Sequence, residues 1–166
     1  PPQNKYFATT SLGLERSLER EVRALGVSAV RRVAGGVSFR GPRAAMVEAC
    51  LKLRTAHRVL WMLGSFPAPD LDALYRGVRS EVRWRGLLTP EHTVAVHATT
   101  RQSSIRDTRI IALKTKDAIV DSVRDAFGER PSVDRHNPDV RVHVRLNRDR
   151  VEIGLDAAGQ SLHERG

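Results

Sequence analysis

Cysteine is almost absent from this 166-residue sequence, in which Cys50 is the single thiol. One thiol excludes an internal disulfide framework, and the six histidines are too scattered to form a Cys/His cluster of zinc-ligand spacing. The N-terminus lacks the charged start, apolar core and cleavage site of a signal peptide, and no apolar run approaches the ~20 residues of a membrane span. The sequence therefore predicts a cytoplasmic protein with no metal and no membrane partner.

Motifs that hold nucleotides or activate nucleophiles are also missing. No strand is followed by a Gly-x-Gly loop, no Walker sequence occurs, and Gly35-Gly36 fits a turn between two strands. Asn137-Pro138 matches only the first half of the Asn-Pro-Pro-aromatic motif of amino-methylating enzymes, and we interpret it as the loop before a strand. His97 and His143 have no catalytic partner nearby in sequence. We therefore predict no catalytic, cofactor-binding or metal site in these 166 residues.

Acidic residues are in the minority. Lys and Arg total 28 against 19 Asp and Glu, which gives a net charge of +9 and a sequence pI near 10.9. Such a surplus favours a polyanionic partner, nucleic acid first, while a basic protein with a merely solvated surface is the alternative. Aromatic residues make up only 5%, which poorly supplies a base-stacking platform. Recognition of a structured RNA through its shape and backbone is therefore the expected mode.

The sequence pattern of residues 1–66 predicts a module in which the elements follow the ferredoxin-like order strand, helix, strand, strand, helix, strand. The predicted strands are Lys5–Thr10, Ala29–Val33, Val37–Arg40 and Arg58–Phe66. The first helix has an apolar face formed by Leu14, Leu18, Val22 and Leu25, and Gly26 is its predicted C-terminal cap. The two prolines of Pro67-Ala68-Pro69 predict a linker after this module.

The sequence pattern of residues 67–156 predicts a second module, of α/β type. Asp70 is a predicted N-cap, Thr93–Thr100 a strand, and Thr108–Phe127 a long helix that Gly128 ends. The predicted packing residues of that helix are Ala112, Ile119, Val123 and Phe127. A two-residue turn at Arg148-Asp149 then predicts a hairpin that pairs Leu146 with Val151, Val144 with Ile153 and Val142 with Leu155.

Positive charge is concentrated where the predicted strand of the second module meets the long helix. Residues 101–116 contain five cations, with Asp107 as the only acid. A basic loop at a helix N-terminus offers side-chain cations, backbone N–H groups and the positive end of the helix dipole to phosphates. A solvated loop with an ordinary helix cap is the alternative. The candidate RNA-binding residues are Thr100, Arg101, Ser104, Arg106, Arg109, Lys114 and Lys116.

The first module is the more basic of the two, with 11 basic and 4 acidic side chains in residues 1–66. Its arginines lie along the polar face of the first helix and on the neighbouring strands. A solvated face explains them as well as a binding surface does, so no RNA-binding residue is predicted there.

Several separated motifs together resemble one family. These motifs are Phe7-Ala8-Thr9-Thr10 with Gly13-Leu14-Glu15, the run His97–Thr108, the run Lys114–Asp121 and the ending Gly159–Gly166. In this order they resemble the N-terminal half of bacterial THUMP-containing RNA guanine-N2 methyltransferases, the group that acts on large-subunit ribosomal RNA. The resemblance covers essentially the whole chain. It implies an α+β fold in which a ferredoxin-like module, residues 1–66, precedes a THUMP RNA-binding domain, residues 67–156.

The family also implies a Rossmann-like domain that uses S-adenosylmethionine, which the given sequence does not include. Residues 157–166 then start the linker to that domain, and because the chain begins with Pro1 we expect a fragment of a longer enzyme. The segment is expected to position structured RNA, in large-subunit rRNA, for the covalently linked methyltransferase domain. Two alternatives stay open: the RNA-recognition half of a tRNA guanine methyltransferase, and a non-catalytic protein-interaction module suggested by Arg58–Phe66, which is apolar on both faces.

Overall fold

The computed structural model describes residues 3–157. Its helices are α1 (Glu15–Arg23), α2 (Arg43–Lys52), α3 (Leu71–Glu81) and α4 (Thr108–Phe127). Its strands are β1 (Asn4–Thr9), β2 (Ser28–Val33), β3 (Gly36–Gly41), β4 (Arg58–Pro67), β5 (Thr93–Arg101), β6 (Ser132–Val133), β7 (Val140–Asn147) and β8 (Arg150–Asp156). These elements confirm the predicted α+β fold class. Apart from Ala157, the predicted linker and the Gly159–Gly166 motif lie outside the described residues.

The chain forms two compact units. The first unit consists of residues 3–62 with residues 155–157, and the second of residues 63–154. The sequence placed the boundary at residue 67, at the two prolines. In the structure Pro67 is the last residue of β4, and the fully buried Ala68 donates its N–H to the Asp149 carbonyl at 2.8 Å. This stretch therefore belongs to the second unit, because its backbone is already hydrogen-bonded there.

The first unit has the predicted βαββαβ order. Its antiparallel sheet has the strand order β2-β3-β1-β4. Both helices pack on one face of this sheet, where Leu18 of α1 and Met46 of α2 join Tyr6 and Phe39 in a fully buried core. The rings of Tyr6 and Phe39 lie with centroids 5.6 Å apart, a spacing usual for aromatic pairs.

The start of α1 differs from the sequence prediction. Leu14 is 45% exposed, so its assignment to the apolar face was wrong. It precedes the helix, which begins at Glu15. The Glu15 carboxylate accepts hydrogen bonds from the backbone N–H groups of Gly35 at 2.9 Å and Gly13 at 2.7 Å. These bonds lower the pKa of Glu15, the Gly35 bond first, because they stabilise its charged form. The motif around Gly13 thus fixes a loop rather than extending the helix.

The second unit places α3 and α4 against a sheet in which β5 is parallel to both β6 and β7. The long helix has the predicted bounds, because the Asp107 carboxylate caps its start and Gly128, with φ +84°, takes the left-handed conformation at its end. The predicted packing role of Phe127 was wrong, because its side chain is 45% exposed, whereas Ala112 is half-buried. The predicted Ile119 and Val123 are buried, and so are Ile111, Thr115, Ala118 and Val120.

The hairpin of β7 and β8 has the predicted two-residue turn. Arg148 and Asp149 have φ values of +51° and +59°, as the turn types that suit a hairpin require. All six apolar residues that the sequence placed in cross-strand pairs are buried. Residues 3–157 contain no helix that could cross a membrane.

Candidate nucleic-acid interface

The segment from Thr100 to Lys116, here called the basic segment, runs from the end of β5 into the first turns of α4. Arg101 is the last residue of β5, where it lies beside Asn147 of β7. Gln102 then adopts a left-handed conformation, with φ +51°, that turns the chain out of the sheet. The chain enters α4 at Thr108, where the Asp107 carboxylate accepts a hydrogen bond from the Arg109 N–H at 2.9 Å. A side-chain anion therefore already caps this helix start.

The loop of the basic segment is tied to the turn between β7 and β8. The Asp149 carboxylate accepts hydrogen bonds from the backbone N–H of Ser104 at 2.7 Å and from its hydroxyl at 3.1 Å. The Asp149 N–H in turn donates to the Ser103 hydroxyl at 3.0 Å. Arg148 binds the same loop, donating its N–H to the Arg101 carbonyl at 3.0 Å and its Nε to Gln102 at 2.9 Å. Five hydrogen bonds thus hold the loop in place.

The predicted hydroxyl donors of the basic segment face inward to the loop. The Thr100 hydroxyl donates to the Ile105 carbonyl at 2.8 Å, and the Ser104 hydroxyl donates to Asp149. A hydroxyl has a single hydrogen to donate, so neither is available to a phosphate oxygen in this conformation. Both side chains shape the loop that carries the neighbouring arginines.

The predicted cations differ in how they are neutralised. Arg101 and Arg106 are exposed, Lys114 is half-buried, and none of the three forms an ion pair with any residue in the range 3–157. Arg109, whose side chain is 92% exposed, lies 3.7 Å from Asp107. Lys116 is 2.9 Å from Asp117. An exposed ion pair contributes little and breaks readily, so all five remain able to meet a phosphate.

The structure does not bring all of these cations to one side of the helix. Arg109 and Lys116 are seven positions apart, which places them on one face of the helix, two turns from each other. Lys114 lies about 140° around the helix from Arg109, on the same side as Ile110. The two lysines thus flank the exposed strip formed by Ile110 and Leu113 from opposite sides.

The acidic residues of α4 are neutralised within the second unit. Asp121 accepts a hydrogen bond from the Tyr75 hydroxyl at 2.5 Å and lies within 4 Å of Arg124 and Arg130. Asp125 forms an ion pair with Arg79, which lowers the pKa of that carboxyl. The hydrogen bond to Asp121 raises the pKa of the Tyr75 hydroxyl. The negative charge of α4 is therefore cancelled toward its C-terminal half, and the surplus positive charge stays with the basic segment.

Arg148 and Asp149, which the sequence predicted only as a turn, also hold the loop of the basic segment. One signal could have found them, since a two-residue turn with positive φ at both positions usually contains Asn-Gly or another glycine-rich pair. An Arg-Asp pair accepts strained backbone conformations, which indicates that its side chains have a separate role. That role is the attachment of the loop some 45 residues earlier in the chain.

Two kinds of side chain that often serve in catalysis, a thiol and clustered metal ligands, can be checked in residues 3–157. Burial raises the pKa of the Cys50 thiol, and the nearby Asp156 raises it further, so this thiol ionises less readily than a free cysteine. Within residues 3–157 no three His, Cys, Asp or Glu side chains are placed to hold a metal ion. The candidate interface is a cationic surface on a loop held by hydrogen bonds.

Two models of known domain families match this chain. A THUMP domain model matches residues 68–156, and a model of the RlmL ferredoxin-like domain matches residues 5–60. The chain therefore belongs to the THUMP-domain family, as the sequence motifs had indicated.

Curated relatives that match almost the whole chain share one name. The ribosomal RNA large subunit methyltransferase K/L of Syntrophotalea carbinolica is 42% identical over 162 residues, and that of Pseudomonas syringae pv. tomato is 44% identical. Both matches cover 98% of this chain but only 23% and 22% of the relatives' length. Among solved structures, SMU.472 complexed with SAH matches with a TM-score of 0.81 and 25% identity, over 94% of this chain and 42% of that one. The resemblance inferred from the motifs is confirmed.

Proposed function

We propose that this chain is the RNA-binding, substrate-positioning part of an S-adenosylmethionine-dependent rRNA guanine-N2 methyltransferase that works in the cytoplasm. The named activity of its relatives and its THUMP domain support an RNA partner, with large-subunit rRNA as the substrate. Residues 67–156 are the RNA-binding domain in this proposal, and residues 157–166 lead toward a catalytic domain.

One observation carries the proposal at the level of residues. Arg101, Arg106 and Lys114 have no anionic partner among the described residues, although ion pairs neutralise the acids farther along α4. The loop that carries the two arginines is held by hydrogen bonds to Arg148 and Asp149. A cation on an already ordered loop loses little conformational entropy when it binds, so each phosphate contact contributes more to affinity.

We propose contacts to RNA phosphates through Arg101, Arg106, Arg109, Lys114 and Lys116, with Thr100 and Ser104 supporting the loop. The α4 N-terminus, also expected to meet phosphate, is capped by Asp107 and contributes less than the side chains. Recognition by phosphate contacts and by shape suits a structured RNA.

The turn from β5 into α4 lacks the chemistry expected of a site for S-adenosylmethionine. Binding of a nucleotide cofactor at the end of a parallel strand relies on a glycine-rich turn into the following helix. The turn from β5 into α4 has no glycine and presents Arg, Gln and Ser instead. In this proposal the cofactor is bound by the catalytic domain, and these residues only bring the RNA to it.

Measurement of RNA affinity across a salt series tests the proposal. The probes are a hairpin transcribed from large-subunit rRNA and an unmodified tRNA, each titrated with the 166-residue chain. A triple variant, R101Q/R106Q/K114Q, should bind the hairpin more weakly and flatten the dependence of log affinity on log salt by about one unit for each phosphate that is no longer neutralised. The matched control, R76Q/R83Q/R85Q, removes the same charge from exposed positions in and just after α3 and should change both quantities far less.

The possible results distinguish between the hypotheses for the function of this chain. Tighter binding of the hairpin than of the tRNA supports the rRNA assignment, and the reverse order favours a tRNA-modifying enzyme. Equal effects of the two triple variants would show that net charge, and not the basic segment, determines binding. Absence of salt-dependent RNA binding would leave a protein-interaction module as the function.

A further inference from the structure

We propose a second nucleic-acid site on the first unit: the sheet face opposite its helices stacks an unpaired base on Phe7 and holds the flanking phosphates with Lys5, Arg31 and Arg40. This inference concerns other residues than the basic segment and does not rest on the function proposed above.

The geometry of the sheet defines this face. Tyr6, Ala8, Val37 and Phe39 point into the core beneath α1 and α2, so their neighbours along each strand point the other way. Phe7 of β1 therefore lies on the outer face, flanked by Ser38 of β3 and Leu60 of β4. Lys5 and Arg40 lie directly opposite each other on the same face, and Arg31 lies opposite Ser38 on β2.

The charges on this face are uncompensated. None of the four strands contains an acidic residue, the glutamates of the first unit lie on its two helices, and Asp156 forms an ion pair with Arg58 at 2.8 Å. Lys5, Arg31 and Arg40 are exposed and form no ion pair with any residue that the structure describes. Arg32, the neighbour of Arg31 on the helix side, instead pairs with Glu19 at 3.3 Å. The protein thus neutralises the cation beneath the sheet and leaves those on the outer face open.

The cross-strand pair of Lys5 and Arg40 costs stability, because like charges directly opposite each other in a sheet repel. An anion bound between the two would remove this repulsion. A phosphate group matches both the charge and the outward position of the two side chains.

Phe7 supplies the apolar part of the site. A Cβ atom on Gly36 would lie 2.5 Å from the Cζ of Phe7, so the ring lies across the bare backbone of Gly36. Phe7 is only half-buried, which leaves part of the ring open to solvent. An aromatic ring on a sheet between cations can stack one base of a single strand while the cations bind the flanking phosphates. The low aromatic content of the chain therefore does not exclude stacking, since one placed ring is enough.

The experiment compares variants of the 166-residue chain in their binding to a fluorescein-labelled oligouridylate of about ten nucleotides, which has no duplex structure. Phe7→Leu, which keeps an apolar cover on Gly36, should weaken binding about ten-fold with an unchanged salt slope. Phe7→Tyr, which keeps the ring, should bind like the parent. Lys5→Gln and Arg40→Gln should each flatten the salt slope by about 0.7. Phe127→Leu, at an exposed phenylalanine of the second unit, is the matched control and should have no effect.

A second measurement separates stacking from a change in fold. An oligouridylate that contains 5-iodouridine should cross-link under ultraviolet light to the peptide that contains Phe7, and thermal melting should show each variant folded. The proposal is overturned if Phe7→Leu binds the oligouridylate as tightly as the parent, or if the cross-link falls outside β1 and β3. If R101Q/R106Q/K114Q binds the rRNA hairpin as tightly as the parent while the Phe7 variants behave as expected, the RNA contacts proposed for the basic segment are refuted. The site proposed on the sheet face is then still supported.

Discussion

Asp149 holds Ser104 with both oxygens of its carboxylate, one bound to the backbone N–H at 2.7 Å and the other to the hydroxyl at 3.1 Å. A single turn residue thereby fixes the loop that carries Arg101 and Arg106. Because the two partners are separated by 45 positions in the chain, the loop is ordered by tertiary structure and not by its own sequence.

Removal of this carboxylate should loosen the loop and leave the hairpin intact. In Asp149→Gly the turn survives, because glycine readily adopts a φ of +59°. We expect faster hydrogen–deuterium exchange in residues 102–107 and a loss of about 1 kcal/mol in affinity for the rRNA hairpin, because the loop must then be ordered on binding. Asp149→Asn, which keeps one acceptor oxygen and tolerates the same φ, should fall between glycine and the parent. Unchanged exchange in the glycine variant would refute the role of the tether.

Thr115 offers a test of the packing of α4. Its side chain is fully buried, and its hydroxyl has no hydrogen-bond partner among the described residues. A buried hydroxyl without a partner reduces stability, so Thr115→Val should raise the free energy of unfolding by about 1 kcal/mol in urea denaturation. Thr115→Ser keeps the hydroxyl and removes a methyl group, so it should lower stability instead. A destabilised valine variant would mean that the hydroxyl has a partner in solution.

The opposed cations on the outer face of the first unit predict that neutralising one of them stabilises the free protein. Lys5→Thr suits a strand and relieves the repulsion from Arg40, so it should raise the free energy of unfolding by about 0.5 kcal/mol at low salt. The gain should vanish in about 1 M salt, where charges are screened over about 3 Å. A gain that persists at high salt would point to strand propensity, and Lys5→Ser serves as the control for that effect.

The ion pair of Arg79 and Asp125 predicts a pH dependence with a defined sign. Arg79 lowers the pKa of Asp125 in the folded state, so the pair stabilises the protein above the unfolded value of about 3.9 and loses its contribution as pH falls through the folded pKa. In Arg79→Gln the pKa of Asp125 should rise toward its ordinary value, as measured by NMR titration of the side-chain carboxyl. The stability difference between parent and variant should be present at neutral pH and disappear in strong acid. An Asp125 pKa that is equal in both proteins would exclude the pair.

Local chemistry made much of the fold predictable. The bounds of α4 follow from an acidic cap at Asp107 and a glycine at position 128, both of which act within one turn of the helix. The hairpin follows from alternating apolar residues on either side of a two-residue turn. The predictions failed where burial depends on distant parts of the chain, as at Leu14 and Phe127, which have the right spacing but remain 45% exposed. The two-residue strand β6 is too short to give a periodic signal.

The candidate interface was only partly predictable for the same reason. The cations of the basic segment are evident from composition, because five of them fall in residues 101–116. Composition does not show which of these cations lack an acidic partner. The acids of α4 are paired with arginines of α3 and of the loop after α4, and these pairs are known only from the structure. The outer-face position of Phe7 likewise required the strand registers, because its alternation with Tyr6 and Ala8 leaves the direction of the ring undetermined until the core is known.

The fully buried Ala157 gives the first unit an unusual dependence on the order of synthesis. Its core is completed by a residue that leaves the ribosome only after the entire second unit has been made. A nascent chain that ends after β4 would expose apolar surface where Leu155 and Ala157 belong, so the first unit should reach full stability late in translation. The second unit, whose residues 63–154 are continuous in sequence, does not depend on any later part of the chain to complete its core. The basic segment, which lies wholly within the second unit, can therefore fold before the core of the first unit is complete.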